Sequence, residues 1–447
     1  METKLNRRDF FSKTAMIGAA SLVAPTLLTS CSSGKQKPLR EKGSYYVPDL
    51  QDKADAGREL KVALVGCGGR GCGALNDLLD AADGIVVTAV ADLFPDKIEN
   101  ALNKLSERGI TVPEGNRFLG FEAYKQAIDA GVDMVICATP PVFRPEMFEY
   151  AVQKGVHAFL EKPIAVDAAG YRRIIAAARQ AQAKGLSVIT GTQRHHQYPY
   201  VEANNLIQQG LIGDIVGGNV YWNQNMLWYR ERQAGWSDTE WMIRDWVNWT
   251  WLSGDHIVEQ HVHNIDVFMW MTGLKPVSAR GFGARHRRIT GDQFDQFNID
   301  FEFENGIHLH SMCQQIDGTD RLVGEVIRGA KGWYDTTCHE IHANDGTLLW
   351  KYDEEAAKTQ HTQLNPYVLE HVDWVNNIRR GIAHEEATDT AYSSLAGCMG
   401  REAAYTGKLI TWDEYSASEQ NFRPADLKLG SMDMKSYTVK CPGEAKK

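Results

Sequence analysis

The chain has 447 residues, of which 43% are apolar and 23% charged, and a formal net charge of −9. That length suffices for two folded domains, and the balance is that of an ordinary globular protein. An acidic chain with no long Lys/Arg cluster offers little to a polyanionic backbone, which excludes a nucleic-acid partner and favours a small ligand. The eight cysteines show neither the close pairing of a zinc site nor the density of a disulfide scaffold, so no metal is expected from them.

The first residues read as an address. Asn6-Arg7-Arg8-Asp9-Phe10-Phe11 precedes an apolar run from Ala15 to Leu28, which ends in Leu28-Thr29-Ser30-Cys31. This is the pattern of a twin-arginine export signal closing in a lipobox. It marks residues 1–31 as the signal, cleaved before Cys31, and predicts a lipid anchor on Cys31 as the one link to a membrane and a periplasmic protein. Residues 32–58 are polar and read as a surface linker. Twin-arginine export suits cargo folded around its cofactor, so the cofactor is expected to be tightly held.

A dinucleotide domain is predicted over 59–192. The apolar strand Leu60-Lys61-Val62-Ala63-Leu64-Val65 runs into Gly66-Cys67-Gly68-Gly69-Arg70-Gly71 and then a helical pattern. Gly66 permits the tight turn, Gly68 and Gly69 let the backbone approach a pyrophosphate, and Gly71 allows close helix-on-strand packing. A second strand delivers Asp92 about twenty residues beyond the loop, where an acid accepts from a ribose 2′-hydroxyl. That favours NAD, while Arg70 leaves NADP open. Two more strands end at Thr139-Pro140 and at Glu161-Lys162-Pro163. In such sheets ligands lie beyond the carboxyl ends of the strands, so Thr139, Pro140, Glu161 and Lys162 join the cofactor set.

From 193 to 430 the pattern changes to longer, antiparallel-looking strands, with candidates at 217–221, 278–284, 298–303 and 307–314; residues 431–447 read as a tail. The expected fold is an α/β Rossmann domain plus an α+β domain with a large, mostly antiparallel open sheet. Within the second domain, Asp255 is placed to cap a helix carrying His256, Glu259 and His263. The Glu259–His263 spacing puts a carboxylate and an imidazole one turn apart on one helix face, a pairing suited to proton transfer. Metal ligation by His256, Glu259 and His263 is the competing reading of the same face, without a standard zinc spacing. Seven of the twelve tryptophans fall between Trp222 and Trp251. Aromatic faces suit the C–H surface of a sugar, so Arg194, Arg244, Trp246, His256 and Asn264 are the candidate substrate contacts.

The order of glycine loop, second-strand acid, Glu161-Lys162-Pro163 and acid-x-x-x-His resembles the Gfo/Idh/MocA oxidoreductases (glucose-fructose oxidoreductase and inositol dehydrogenase). Arg328-Gly329-Ala330-Lys331-Gly332 and helices near 367–380 and 390–406 fit the same pattern. The resemblance implies that Lys162 contacts nicotinamide ribose and substrate, that His263 transfers the proton, and that the protein is a homo-oligomer acting on a sugar or polyol. Glu259 stands where many members carry Asp, and His261 where a small residue is more common. The alternatives are an NAD-dependent glycoside hydrolase of the oxidation, elimination and reduction type, and a non-catalytic sugar-binding lipoprotein.

Overall fold

Six short apolar strands set up the first half of the chain: β1 (Leu60–Val65), β2 (Ile85–Asp92), β3 (Arg117–Leu119), β4 (Met134–Cys137), β5 (His157–Leu160) and β6 (Val188–Thr190). All pair in parallel, in the order β3-β2-β1-β4-β5-β6. Continuous apolar runs suit parallel strands because helices cover both faces. Helices α1 (Gly69–Ala81) and α2 (Pro95–Glu107) bury Leu75, Leu78 and Leu105 against Leu60, Val62 and Leu64 on one face. On the other face α3 (Ala123–Asp129), α4 (Arg144–Lys154) and α5 (Ala168–Ala183) bury Tyr124, Phe148 and Ile174 against Ala63 and Val65. The strand order reverses between β1 and β4, so the crevice beyond their carboxyl ends is the ligand position of this topology. The computed structural model describes residues 45–443; the expected export signal and the anchor at Cys31 lie outside them.

The second sheet contains β7 (Ile215–Gln224), β8 (Pro276–Ala284), β9 (Gln296–Phe303), β10 (His308–Gln315), β11 (Leu322–Gly329), β12 (Gly332–Asp335), β13 (Glu340–Ala343), β14 (Leu348–Lys351) and β15 (Ile410–Thr411). Their order is β14-β13-β12-β11-β7-β10-β9-β8-β15, antiparallel except for the β7–β10 pair. The four strands expected from sequence are β7 to β10, and the glycine-containing turn at 328–332 is the β11–β12 hairpin. Helices α6 (Tyr198–Gln208), α7 (Asp238–Arg244), α8 (Thr250–Ser253), α9 (His256–Glu259), α10 (Val262–Thr272), α11 (Glu354–Gln360), α12 (Pro366–Arg380), α13 (Ala387–Thr406) and α14 (Trp412–Ala417) complete the chain. Ile265 and Phe268 of α10 and Leu395 and Met399 of α13 pack with Ile299, Phe301 and Leu309 of the sheet. By contrast, α12 returns to the first domain, where Trp374 and Val375 join the α1–α2 core.

Two segments differ from their expectation. Residues 45–58 are docked rather than a bare linker: the Tyr46 hydroxyl donates to Asp373 (2.8 Å), its ring stacks on His384 (3.5 Å between centroids), and Ala54 N donates to Ala81 O (2.9 Å). The tail also returns to the body, since Met432, Met434 and Tyr437 pack against the α3–α5 core.

Candidate active site

The glycine loop leaves β1 at Gly66, whose φ of +93° belongs to the left-handed region; a Cβ there would meet the Ala138–Thr139 backbone at 2.7 Å. At Gly71 a Cβ would lie 1.9 Å from Gly66 O, whereas at Gly68 and Gly69 it would meet nothing within 4 Å. Two glycines therefore build the turn, and two keep open the space in front of the α1 N-terminus. That space belongs to a cavity of about 430 Å³, whose floor includes Gly66, Gly68, Gly69, Asp92, Thr139 and Pro140. Asp92 is held carboxylate-first by the amides of Cys67 (2.7 Å) and Phe94 (2.9 Å), and burial raises its pKa against these donors. Its remaining lone pairs suit ribose hydroxyls. The open glycine cradle, free helix N-terminus and acid beside it fit a dinucleotide.

Arg70 and Glu161 have a different role from the one the motif suggested. Arg70 Nε donates to Glu161 Oε1 (2.5 Å), and its guanidinium also meets Asp77 (3.2 Å) and Glu370 (3.3 Å). Burial works against the charge but is outweighed by Glu161 and Glu370, so Arg70 is held above its usual pKa. Neither residue is part of the cavity wall. Together they brace the loop and the strand end behind it, and a cation already matched by three carboxylates is a poor donor to a 2′-phosphate. A Cβ at Gly191 would approach Glu161 Oε2 to 2.8 Å, which accounts for the glycine there.

Lys162, beyond the end of β5, reaches into the second domain. Its Nζ donates to Glu259 O (2.6 Å) and lies 3.3 Å from Glu259 Oε1, and the lysine side chain is only 11% exposed. Glu259 thus pairs with Lys162 and accepts from Gln260 Nε2, rather than orienting His263. The continuous helix expected over this segment is broken, which removes the one-turn relation. Asp255, at φ +74°, caps α9 through His256 N and is fixed by Tyr405 Oη and Phe294 N, while His261 Nε2 is tethered to Ser311 Oγ (2.7 Å). With its start held by α13 and the segment before β9, and His261 held by β10, the chain bends at Gln260–His261 and restarts as α10.

His263, on α10, stacks on Trp222 of β7 (5.6 Å, 19°), and its Nδ1 is buried without a hydrogen-bond partner. Burial, reinforced by the positive charges of Lys162 and Arg194, holds its pKa well below the usual value, so the ring is neutral at physiological pH. The Arg194 guanidinium lies 5.6 Å from the Trp222 ring and is ion-paired with Glu325 (2.5 Å). Asn264 Nδ2 donates to the same Glu325 (2.6 Å). Lys162, Glu259, His263, Arg194 and Asn264 are thus one neighbourhood. His256 is not part of it: it bonds to Asp255 (3.1 Å), meets Arg288 (3.4 Å) and packs on Phe297. Arg244 and Trp246 belong instead to the wall of the dinucleotide cavity, near Asp92 and Asp96. Among the described residues no group of three His, Cys, Asp or Glu side chains is arranged to hold a metal.

Sequence reasoning missed Glu325. Fully buried on β11, it accepts from Arg194, Asn264, Tyr200 Oη (3.0 Å) and Thr336 Oγ1 (2.6 Å). Its strand, Leu322-Val323-Gly324-Glu325-Val326-Ile327, is apolar on both faces, so no alternation marked it as inward. The ion pair of His195 with Asp266 (2.7 Å) was missed for the same want of a local signal.

A parallel sheet with a glycine cradle, and a lysine from its own strand end meeting a histidine and a glutamate of the second domain, define a dinucleotide-dependent oxidoreductase. The model of the oxidoreductase family with an NAD-binding Rossmann fold (GFO_IDH_MocA) matches residues 60–190, and that of the GFO/IDH/MocA C-terminal domain matches residues 200–335. The chain belongs to the Gfo/Idh/MocA family, and NAD is its cofactor. It is 26% identical over 312 residues to a glycosyl hydrolase family 109 protein of Shewanella pealeana, covering 66% of this chain and 65% of that one. It is 24% identical over 362 residues to an inositol 2-dehydrogenase/D-chiro-inositol 3-dehydrogenase of Lactiplantibacillus plantarum, covering 80% and 88%. Its fold is that of scyllo-inositol dehydrogenase from Lactobacillus casei with bound NAD(H) and scyllo-inositol (TM-score 0.59, 20% identity, 80% and 100% covered). It is also similar to aldose-aldose oxidoreductase from Caulobacter crescentus complexed with glycerol (TM-score 0.62, 18% identity, 79% and 100% covered).

Proposed function

We propose that the protein oxidises or reduces a hydroxyl-bearing carbon of a sugar or polyol. The observation that carries this is the buried Lys162 ammonium beside Glu259, within electrostatic reach of a neutral His263. When bound, NAD supplies the hydride acceptor or donor. His263 accepts the hydroxyl proton, a role for which a depressed pKa keeps it ready, and Lys162 stabilises the oxygen as negative charge develops on it. Glu259 holds the lysine in place. The Trp222 face and the Arg194–Glu325–Asn264 network offer an apolar platform edged with polar groups, as sugar C–H and O–H surfaces require.

The likeness to the glycosyl hydrolase family 109 protein supports a second reading, a redox-neutral hydrolase using the same residues. Both are separated by one experiment on protein purified without added nucleotide. A panel of polyols and sugars that converts resident or added NAD to NADH supports the dehydrogenase. Release of nitrophenol from a nitrophenyl glycoside with no net NADH supports the hydrolase, and neither response with any compound overturns both.

Export by the twin-arginine route, an anchor at Cys31 and a periplasmic location are part of the same proposal, supported by Arg7-Arg8 and the Leu28–Cys31 segment. Cell fractionation with a Cys31→Ser variant checks the anchor. A second copy of the chain is proposed to pack on the outer face of the nine-stranded sheet, where Phe282 is 75% exposed.

A further inference from the structure

The cavity above the glycine loop has a roof that belongs to the other domain. Opposite Gly68 and Asp92 stand Trp228, Arg230, Trp236, Arg244 and Trp246, all from the segment between β7 and α8. We propose that this segment forms the upper half of the adenosine subsite and holds the dinucleotide in the protein through turnover. The proposal rests on NAD binding alone and not on the choice of substrate.

Three observations carry it. The first is position. Asp92 and the loop fix where ribose and pyrophosphate must lie, so the space between them and the tryptophans is left for the adenosine end. The second is an incompletely covered aromatic wall: Trp228 lines the cavity yet is 45% exposed, an apolar face that a purine base would cover. Stacking a base on such a face is worth roughly ten- to hundredfold in affinity.

The third is a latch. Arg244 donates through both terminal nitrogens to the Asp96 carboxylate of α2 (2.9 and 3.1 Å), while its guanidinium lies 3.9 Å from the centroid of Phe94 and 5.0 Å from that of Trp236. Asp96 and Phe94 belong to the dinucleotide domain and Arg244 to the roof, so the cavity cannot widen on this side without parting them.

The roof is stiffened from behind. Arg230 N donates to Asp245 (2.7 Å) and Trp241 Nε1 to Arg230 O (2.8 Å). The C-terminal run then ties roof and floor together. Thr239 N and Met432 N bond it to α7 (3.1 and 3.0 Å), and Phe422 N donates to Asp167 (2.7 Å) in front of α5. A base entering or leaving must therefore displace a braced structure, which lowers the rates of both binding and release.

The experiment loads the full protein with NADH, adds a large excess of NAD and follows the loss of bound-NADH fluorescence, with no sugar present. Asp96→Asn opens the latch from the floor with an isosteric change at a half-exposed position, and Arg244→Ala opens it from the roof. Release should quicken about fivefold in the first and tenfold or more in the second, which also loses the ring contacts. Thermal unfolding identifies a variant that has failed to fold, and the other then decides. Release from both folded variants at the parent rate overturns the proposal, as does a parent whose bound NADH is already exchanged within the mixing time. Failure to find a sugar substrate leaves this measurement untouched.

Discussion

Replacing Lys162 with Met removes a charge but keeps an unbranched chain of similar length. Two consequences follow from its contacts. The first is chemical: the group that steadies the substrate oxygen is gone, a loss of about 10³-fold in kcat, or ~4 kcal/mol of transition-state stabilisation. The glycine cradle and Asp92 are untouched, so NAD should still bind. The second is electrostatic. Glu259 Oε1 loses the cation 3.3 Å away, and a buried carboxylate without its partner destabilises the fold by up to ~3 kcal/mol, relieved in part by protonation. Lys162 also helps depress the His263 pKa, so the variant's residual activity should lose its acidic plateau at a higher pH than the parent's. Single-turnover nicotinamide absorbance at several pH values measures rate and profile together, and isothermal titration with NAD checks the cofactor. A folded Lys162→Met protein that binds NAD and retains kcat within tenfold of the parent would refute the assignment of Lys162 to the chemistry.

The glycines of the loop should separate by function: Gly71→Ala, whose Cβ would collide with Gly66 O, should abolish NAD binding or lower the melting temperature sharply, while Gly69→Ala should fold normally, because its Cβ has open space. Equal melting curves for the two would contradict the packing argument. Acid should also weaken the fold through its buried histidines. Burial holds His261, His263 and His371 below the usual histidine value, His261 down to about 3. In the unfolded chain each takes up its proton near pH 6.5, so stability is intact above that pH and falls below it, by about 1 kcal/mol per histidine on reaching about pH 5.5. His195, raised by Asp266 against the cost of burial, works in the opposite sense and offsets part of the loss. A melting temperature that stays level from pH 7 to 5.5 would show that these rings are not buried and neutral.

What could be read from the chain alone was whatever local spacing dictates. An apolar strand feeding Gly66-x-Gly68-x-x-Gly71, and an acid closing the next strand, specify a turn, a helix N-terminus and a ribose contact, because all their geometry lies within about thirty residues. Lys162 was legible because strand ends are ligand positions in a parallel sheet. The second site was legible only as a set of names. Glu259 and His263 look like partners at helical spacing, but tethers to Tyr405 and Ser311, about 150 and 50 residues away along the chain, break the helix and give Glu259 to Lys162 instead. By its place among the tryptophans Arg244 reads as a sugar contact, but α7 carries it onto Asp96. Glu325 had no motif at all, and its importance comes from four donors on four separate segments. Charge pairing and burial are properties of positions in space, and only the tertiary fold assigns those positions.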